Sequence, residues 1–368
     1  MALTFTEEQE QLRTTLRRFL TEKAPSAAVR RAMDSDEGHD PRLWRQMADQ
    51  LGLHGIALPE EYGGFGGGAV ELGIVLEETG RVLLPSPYFA TVALAGQALA
   101  ASNDEAAKAR WLPAIADGSM TATLALAEAT GSWRLADIET SAGNGTAVSG
   151  TKMFVVDGHT ADLVLVVART DTGPGLFAVD GAAPGVTRTR LETLDPTRRL
   201  ARIDLDSAPA QRVGPDGDAS AYLRTVLDLV AVALAAEQVG GAQACLDAAV
   251  EYAKVRVQFG RPIGSFQAVK HKCADMLVAV EGARSAAYHA TAVAAEGSSE
   301  LPVSAASAAS CCADAFTHAA KQNIQIHGGI GYTWEHDAHL YLKRAKSSEQ
   351  LFGGPATHRA RLADLVGI

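Results

Sequence analysis

The hydrophobic pattern of this 368-residue chain changes twice along its length. Up to about residue 119, apolar residues recur at the three- to four-residue spacing of amphipathic helices. From about 120 to 218, short segments rich in β-branched residues alternate with Gly, Asp and Pro, as in strands joined by turns. Helical spacing then returns. The pattern predicts a multidomain α+β fold: an N-terminal helical domain at 1–119, a middle antiparallel β-sheet or barrel domain at 120–218, and a C-terminal four-helix bundle at 219–368.

Start and stop signals support this division. Thr6 is followed by two glutamates, which suits a helix N-cap with acids in the first turn. Pro41–Leu51 has the apolar spacing of a second helix. Ser220–Val255 is predicted to form one helix about 50 Å long at roughly 1.5 Å per residue. Shorter helices are expected at 265–296, 302–326 and 335–350.

Composition excludes several classes of function. The formal net charge of −10 argues against nonspecific binding to nucleic acid. No run approaches the ~20 uncharged residues that cross a bilayer, and the best candidate, Leu227–Ala236, carries Asp228. The acidic N-terminus lacks the pattern of a signal peptide. We therefore expect a cytoplasmic protein.

The cysteines give no indication of a metal site. Their spacing does not match known metal-ligand patterns, and without an export signal we expect reduced thiols. The four residues are Cys245, Cys273, Cys311 and Cys312.

The most unusual stretch is Tyr252–Met276, where Gly and Pro separate two long helical segments. The first helix is predicted to end at Gln258-Phe259-Gly260, with Arg256 in its last turn. A guanidinium, two amides and two aromatic rings lie within twelve residues of this bend. Such a corner can hold a flat, phosphate-bearing ligand, with Arg256 on phosphate oxygens. The alternative is a plain junction of core helices in which Arg256 makes a surface ion pair.

This stretch resembles the signature of the acyl-CoA dehydrogenase family, flavoenzymes that desaturate acyl-CoA thioesters between Cα and Cβ. The similarity extends over nearly the whole chain. It implies that the corner contacts an FAD bound mainly by a neighbouring subunit, so the chain is expected to be oligomeric. The implied FAD contacts of the corner are Arg256, Gln258, Phe259 and Gln267.

The resemblance also implies a second FAD contact in the segment QIHGG. Here Gln325 precedes Gly328 and Gly329, and adjacent glycines allow backbone N–H groups to approach phosphates closely. A plain interhelical turn is the alternative.

In the middle domain the family motifs are altered. By position, Phe154 replaces a Trp that covers the flavin ring, Val156 replaces a Thr near its reactive nitrogen, and Ala127 replaces another hydroxyl. Ser132 matches a substrate-binding position. Each lost polar contact is typically worth roughly 0.5–1.5 kcal/mol, so we expect weaker flavin retention in the chain's own pocket.

Desaturation requires a carboxylate that removes the thioester α-proton. The resemblance implies two places for that Glu, and here they hold Phe352 or Gly353 in the C-terminal loop and Val230 in the long helix. Of the nearby acids, Asp228 should face away from the Val230 position. Glu349 lies one turn before the loop and is the candidate base.

Two functions remain open. One is an FAD-dependent acyl-CoA dehydrogenase acting on a fatty-acyl or steroid side-chain thioester, with an electron-transferring flavoprotein as the acceptor that the family implies. The other is a catalytically incomplete subunit that completes the FAD site of a second dehydrogenase chain in a heterotetramer. The intact corner and the altered middle-domain motifs favour the second.

Overall fold

The computed structural model describes residues 4–143, 145–214 and 216–368. Contacts divide the chain into two compact units that interleave in sequence. The helical unit comprises the residues up to Arg31, Gly73–Leu84 and Ala231–Ile368. The sheet unit comprises Ala32–Leu72 and Pro85–Val230. The boundaries predicted after residues 119 and 218 stay predictions, because this division follows spatial contact rather than the type of secondary structure.

The helices lie in the two regions where the apolar spacing predicts them, before about residue 119 and after about residue 218. In the first part of the chain they are α1 Glu7–Lys23, α2 Ser26–Asp34, α3 Pro41–Asp49, α4 Ala69–Arg81, α5 Gln97–Ala100, which continues a π-helical stretch Phe89–Gly96, and α6 Glu105–Ala116. In the last part they are α7 Ser220–Val255, α8 Gln267–Ala295, α9 Leu301–His327, α10 Ala338–Gln350 and α11 Pro355–Val366.

The predicted cap of α1 is present as a complete capping box. The Gln9 N–H donates to Thr6 Oγ1 at 3.2 Å, and the Thr6 N–H donates to Gln9 Oε1 at 3.0 Å. Two backbone donors are thereby satisfied at the helix start, where a cap contributes about 1 kcal/mol.

The sheet of the sheet unit has six strands within the described residues, in the order β1-β3-β4-β6-β2, with β5 paired to β6. Its core contains Val164, Val166, Phe177 and Ile203. The strands are β1 Ala122–Ala125, β2 Ala147–Val156, β3 Leu163–Thr170, β4 Gly173–Asp180, β5 Val186–Arg190 and β6 Leu200–Val213.

The predicted fold class of helices, sheet and helices is confirmed. The expectation of a purely antiparallel sheet is wrong in one pair, since β1 runs parallel to β3, with Ala122 opposite Leu163. The chain leaves β1, forms β2 at the other end of the strand order and returns to β3, so it enters β3 in the same direction as β1.

The long helix α7 is confirmed as one element of 36 residues. Among the described helices it alone is long and apolar enough to span a membrane, yet 83% of its most apolar window is buried inside the protein. Gly240 permits close packing on α4, because a Cβ there would lie 1.8 Å from the Glu77 carbonyl oxygen. Burial on this scale is typical of a core helix.

Candidate functional site

The bend after α7 is a β-hairpin rather than a continuation of the helix. The helix ends at Val255, and Val257–Gln258 pairs with Arg261–Pro262. Phe259 and Gly260 form the turn with φ of 52° and 78°, the left-handed values that a two-residue hairpin turn of this kind requires. The predicted helix end at 258–260 is therefore wrong by several residues. The glycine marks a hairpin turn instead of a helix stop.

Arg256 lies between the helix and the hairpin. Its N–H donates to the Tyr252 carbonyl at 2.9 Å, and its carbonyl accepts from the Ile263 N–H at 2.8 Å. The side chain is exposed, and in the described part of the chain the guanidinium has neither a hydrogen bond nor an ion pair. The surface ion pair considered from the sequence is thus not formed.

The other corner residues are also exposed. Phe259 at the hairpin tip is 92% exposed, and its ring lies 6.2 Å from the Phe266 ring. The Gln258 amide donates to the carbonyl of Val257 at 2.9 Å. Gln267 begins α8, with its Nε2 3.4 Å from His271 Nε2. We call Arg256–Gln267 the hairpin corner.

The QIHGG segment ends α9 in a short 3₁₀ turn, Gly328–Tyr332. Gln325 is exposed. Gly328 has a φ of 66°, and its N–H caps the helix by donating to the Ile324 carbonyl. A Cβ added to Gly328 or Gly329 would meet no protein atom within 4 Å. At Gly329, where φ is not unusual, nothing in the chain itself demands a glycine, so the free space fits an external ligand. We call Gln325–Gly329 the glycine turn.

The structure connects the hairpin corner and the glycine turn within the helical unit. Tyr252, one helical turn before Arg256, stacks on His327, the residue before Gly328, with ring centroids 4.2 Å apart. Lys272 of α8 donates to Gln322 of α9 at 2.8 Å. The sequence does not predict this connection, because the two segments are far apart in the chain. The four-residue spacing of Tyr252 and Arg256 shows only that Tyr252 lies in the last turn of α7 and Arg256 directly after it.

The groups on these two segments fit the pyrophosphate of a dinucleotide. An uncommitted guanidinium, exposed amides and glycines with free space around them are the groups that bind phosphate oxygens. They fit FAD by their chemistry. The assignment of these residues to FAD stays a prediction.

In the sheet unit, Phe154 lies in a β-bulge of β2. The register with β6 shifts between Lys152 and Val155, and Phe154 has a φ of 56°. A bulge re-aims side chains, and the half-buried Phe154 ring lies 3.9 Å from where a Gly131 Cβ would be. Val156 is 1% exposed, and Ser132 Oγ donates to Asp137 at 2.6 Å. Their proposed roles toward flavin and substrate stay predictions.

A buried ion pair beside this bulge was not expected from the sequence. Lys152 is fully buried and donates to Glu128 Oε1 at 2.7 Å and to the Leu126 carbonyl at 3.0 Å. Burial lowers the pKa of Lys152 to about 8, against the opposing effect of Glu128. Burial acts to raise the pKa of Glu128, but Lys152 and Thr140 bring it below its usual value. The pair fixes β2 against residues 126–128.

The first position that the resemblance implies for the base, Phe352 or Gly353, lies beside a small cavity. Phe352 is 8% exposed, has a φ of 57°, and borders a cavity of about 10 Å³. That volume is at the lower limit for one water molecule. No carboxylate lines the cavity among the described residues. Its lining is Ala231, Leu234, Gln238, Ala309, Ala313, Ser348, Leu351, Phe352, Gly353 and His358.

The remaining acids are engaged elsewhere. Val230 is fully buried, and nearby Asp228 is 2% exposed, which excludes a solvated carboxylate. Glu349 accepts a short hydrogen bond from Lys346 in the same helix, and its side chain is 17% exposed. Arg344 donates to Glu237 at 2.8 Å in a second buried pair. The assignment of Glu349 as the base stays a prediction. The structure adds that its carboxylate accepts a hydrogen bond from Lys346.

Comparison with known proteins agrees with this architecture. The family model "Acyl-CoA dehydrogenase, N-terminal domain" matches residues 6–119, and "Acyl-CoA dehydrogenase, C-terminal domain" matches residues 220–366. The acyl-CoA dehydrogenase IpdE2 of Mycobacterium tuberculosis is 40% identical over 360 residues, which cover 98% of each chain.

Solved structures give the same result. The Tcur3481-Tcur3483 steroid ACAD superposes with a TM-score of 0.90 at 34% identity, covering 98% of both chains. The ChsE4-ChsE5 complex from Mycobacterium tuberculosis has a TM-score of 0.91 at 30% identity, covering 100% of this chain and 99% of that one. The chain therefore belongs to the acyl-CoA dehydrogenase family of FAD-dependent oxidoreductases.

Proposed function

We propose that this chain is the catalytically incomplete subunit of a heteromeric acyl-CoA dehydrogenase and completes the FAD site of a second dehydrogenase chain. In this assembly the second chain supplies the base and most of the flavin pocket. FAD, when bound, accepts the hydride that leaves Cβ of an acyl-CoA thioester as a carboxylate removes the α-proton. The present chain binds and orients the dinucleotide.

The observation that carries the proposal is the state of the base position. By the family resemblance the base position falls on Phe352 or Gly353, and among the described residues the adjoining cavity of about 10 Å³ has no carboxylate in its lining. A base must come within hydrogen-bonding reach of the proton that it removes. Without a carboxylate there, this chain cannot perform the family's proton transfer in the usual way.

The hairpin corner and the glycine turn supply what a second chain would use. The Arg256 guanidinium has no partner in the described chain, and Phe259 is 92% exposed at the hairpin tip. We assign Arg256 to a phosphate of FAD, Gln258 and Gln267 to its orientation, and Gly329 to close approach of the backbone. These residues, with Phe259, Gln325 and Gly328, form the donated half-site.

The relatives suggest the partner and the substrate class. The ChsE4-ChsE5 structure is a complex of two named chains, and the Tcur3481-Tcur3483 protein is a steroid ACAD. By this likeness we assign the assembly a steroid-derived acyl-CoA thioester as substrate. A cytoplasmic location and an electron-transferring flavoprotein as acceptor follow from the family resemblance and are part of the proposal.

One observation favours a second function, a dehydrogenase active on its own. Glu349 lies three residues before Phe352 and is largely shielded from solvent, as a catalytic base should be. In this alternative the Glu349 carboxylate must break its hydrogen bond to Lys346. The loop after α10 must also take another conformation, so that the carboxylate reaches the thioester.

The two functions differ in the visible spectrum of the purified chain. We would purify the chain alone, and also co-expressed with a dehydrogenase chain that carries Glu at the position equivalent to Phe352. A colourless chain that forms a stable complex containing FAD only with that second chain supports the proposal. Stoichiometric FAD in the chain alone, bleached by acyl-CoA, would support the alternative with Glu349. If neither the chain alone nor any complex with such a second chain bound FAD, both functions would be contradicted.

A further inference from the structure

Three aromatic rings from distant parts of the sequence stack in the helical unit. Tyr252 and His327 have centroids 4.2 Å apart and ring planes 26° apart. His327 and His336 follow with 4.3 Å and 45°. The rings come from the last turn of α7, the end of α9 and the segment before α10. The stack therefore brings together three segments that are far apart in the sequence.

Two of these rings, Tyr252 and His327, are attached to the donated half-site through the backbone. The Tyr252 carbonyl accepts from the Arg256 N–H at 2.9 Å, so the ring and the start of the hairpin corner move together. His327 is followed directly by Gly328. A Cβ on Gly331 would lie 3.1 Å from the Cβ of His327, so the 3₁₀ turn Gly328–Tyr332 packs closely against this residue.

Hydrogen bonds fix the orientation of the two imidazoles. His327 Nδ1 lies 2.8 Å from the Asn323 carbonyl, which can only accept, so Nδ1 carries the proton. His336 Nδ1 accepts from the Ala338 N–H at 3.1 Å, so its proton is on Nε2 when the ring is neutral. His327 is 6% exposed. The stack is thus built from two imidazole rings whose orientation is fixed by backbone hydrogen bonds.

We propose that the Tyr252–His327–His336 stack is a positioning device that sets the spacing between Arg256 and the glycine turn, so that both reach one dinucleotide. The inference rests on the proposed function, because it concerns the same FAD half-site. The stacked residues act through Arg256 and Gly329 and do not themselves touch FAD.

The charges around the stack make the device sensitive to acid. Burial lowers the pKa of His327, the Asn323 carbonyl opposes this, and the neighbouring His336 lowers the pKa further. Arg30 of α2 donates to the His336 carbonyl and pairs with Asp337 at 2.6 Å. His339 of α10 interacts electrostatically with His336. The carboxylate beside the stack is therefore already paired and cannot readily compensate a new charge on His327.

The direction of the pH effect follows. The pKa of His327 is depressed in the folded protein, so the stack with neutral His327 is present above the ordinary histidine value of about 6.5. It is lost as the pH falls through the lower folded value. FAD affinity should weaken on acidification for the same reason.

The test is an FAD titration of the assembly that binds FAD, at about pH 7.5 and about pH 5.5. His327→Ala should weaken FAD binding about three- to tenfold at the higher pH, the range of one aromatic pair. His327→Phe keeps a flat ring and should restore affinity to within about twofold. It should also reduce the loss of affinity on acidification, which a purely structural role does not predict. Tyr252→Leu tests the stack from its other side and should resemble His327→Ala.

A double-mutant cycle with Arg256→Ala separates this inference from the proposed function. Because the stack acts through Arg256, His327→Ala should add little loss once Arg256 is removed. Fully additive losses, or no rescue by His327→Phe, would overturn the positioning role while leaving the half-site intact. Unchanged FAD binding in Arg256→Ala itself would instead overturn the proposed function.

Discussion

The hairpin corner and the Phe352 cavity both belong to the helical unit, but the corner exposes polar groups whereas the cavity buries an aromatic ring. At the corner a guanidinium and several amides are exposed, and Arg256 has no partner in the described chain. At the cavity the Phe352 ring is buried, at or beside the position where the resemblance implies a carboxylate. A polar group at the surface costs little to keep unpaired, whereas a buried one must be paired. The corner therefore remains ready to bind a ligand, and the cavity is closed by packing.

Phe352 itself illustrates how strongly packing holds the second region. Its φ of 57° is rare for a bulky residue and costs on the order of 1–3 kcal/mol. Burial of an aromatic ring contributes a similar roughly 1.5–3 kcal/mol. The two terms offset one another, so the loop conformation is set by its surroundings and not by the preference of Phe352.

The largest expected effect comes from restoring a carboxylate at the closed position. Phe352→Glu should destabilise the chain by about 3–5 kcal/mol, because it removes the ring and buries an acid among mostly apolar side chains. Urea unfolding at neutral pH measures the loss. Phe352→Leu is the matched control and should cost less than about 1.5 kcal/mol. A stable Phe352→Glu chain that desaturates acyl-CoA unaided would show that the cavity can accept a base.

At the corner, Arg256→Ala should weaken FAD binding by the assembly about 10- to 100-fold, since a hydrogen bond to a charged group is worth roughly 1.5–3 kcal/mol. Stability should change by less than about 0.5 kcal/mol, because the side chain has no partner to lose. Lys254→Ala serves as the control, because Lys254 lies two residues before Arg256 and this variant also removes one positive charge. Lys254 itself is paired with Glu251. Equal effects of the two variants would reduce Arg256 to a general electrostatic contribution.

A smaller effect is expected at the hairpin tip. Phe259→Ser should leave the melting temperature unchanged, because the ring is 92% exposed. FAD binding by the assembly should weaken about three- to tenfold if the ring packs against the dinucleotide or its carrier. Leu194→Ser, at another exposed apolar residue, is the control and should change neither quantity. A lower melting temperature for Phe259→Ser in the isolated chain would mean that the tip is part of the fold.

The smallest effect is expected for Glu349→Gln. Its carboxylate is paired with Lys346 in the same helix, and such pairs contribute about 0–1 kcal/mol. Turnover by the assembled enzyme should change less than about twofold. Lys346→Gln, which removes the other partner, should behave alike. A loss of turnover beyond about a hundredfold in Glu349→Gln alone would identify Glu349 as the base and restore the single-chain alternative.

Several local features could be predicted because neighbouring residues determine them. The N-cap of α1 needs only Thr6 and its neighbours, and Ser220–Val255 carries a helical pattern that continues across Gly240 and Gly241. The hairpin was missed because its strands have only two residues each, too few for a strand pattern. The parallel pairing of β1 was missed because it depends on where β2 goes after leaving β1.

The sequence by itself determined the family and the order of helices and strands, since these follow from residue identity and short-range spacing. It also predicted that Phe352 or Gly353, and Val230, stand where the resemblance implies the catalytic Glu. Only the tertiary structure decided which groups are engaged. Contacts across the fold pair Lys152 with Glu128 and stack Tyr252 on His327, while the Arg256 side chain has no partner among the residues that the structure describes. The physical reason is that burial and long-range packing, which no local pattern encodes, fix whether a polar group is paired or free.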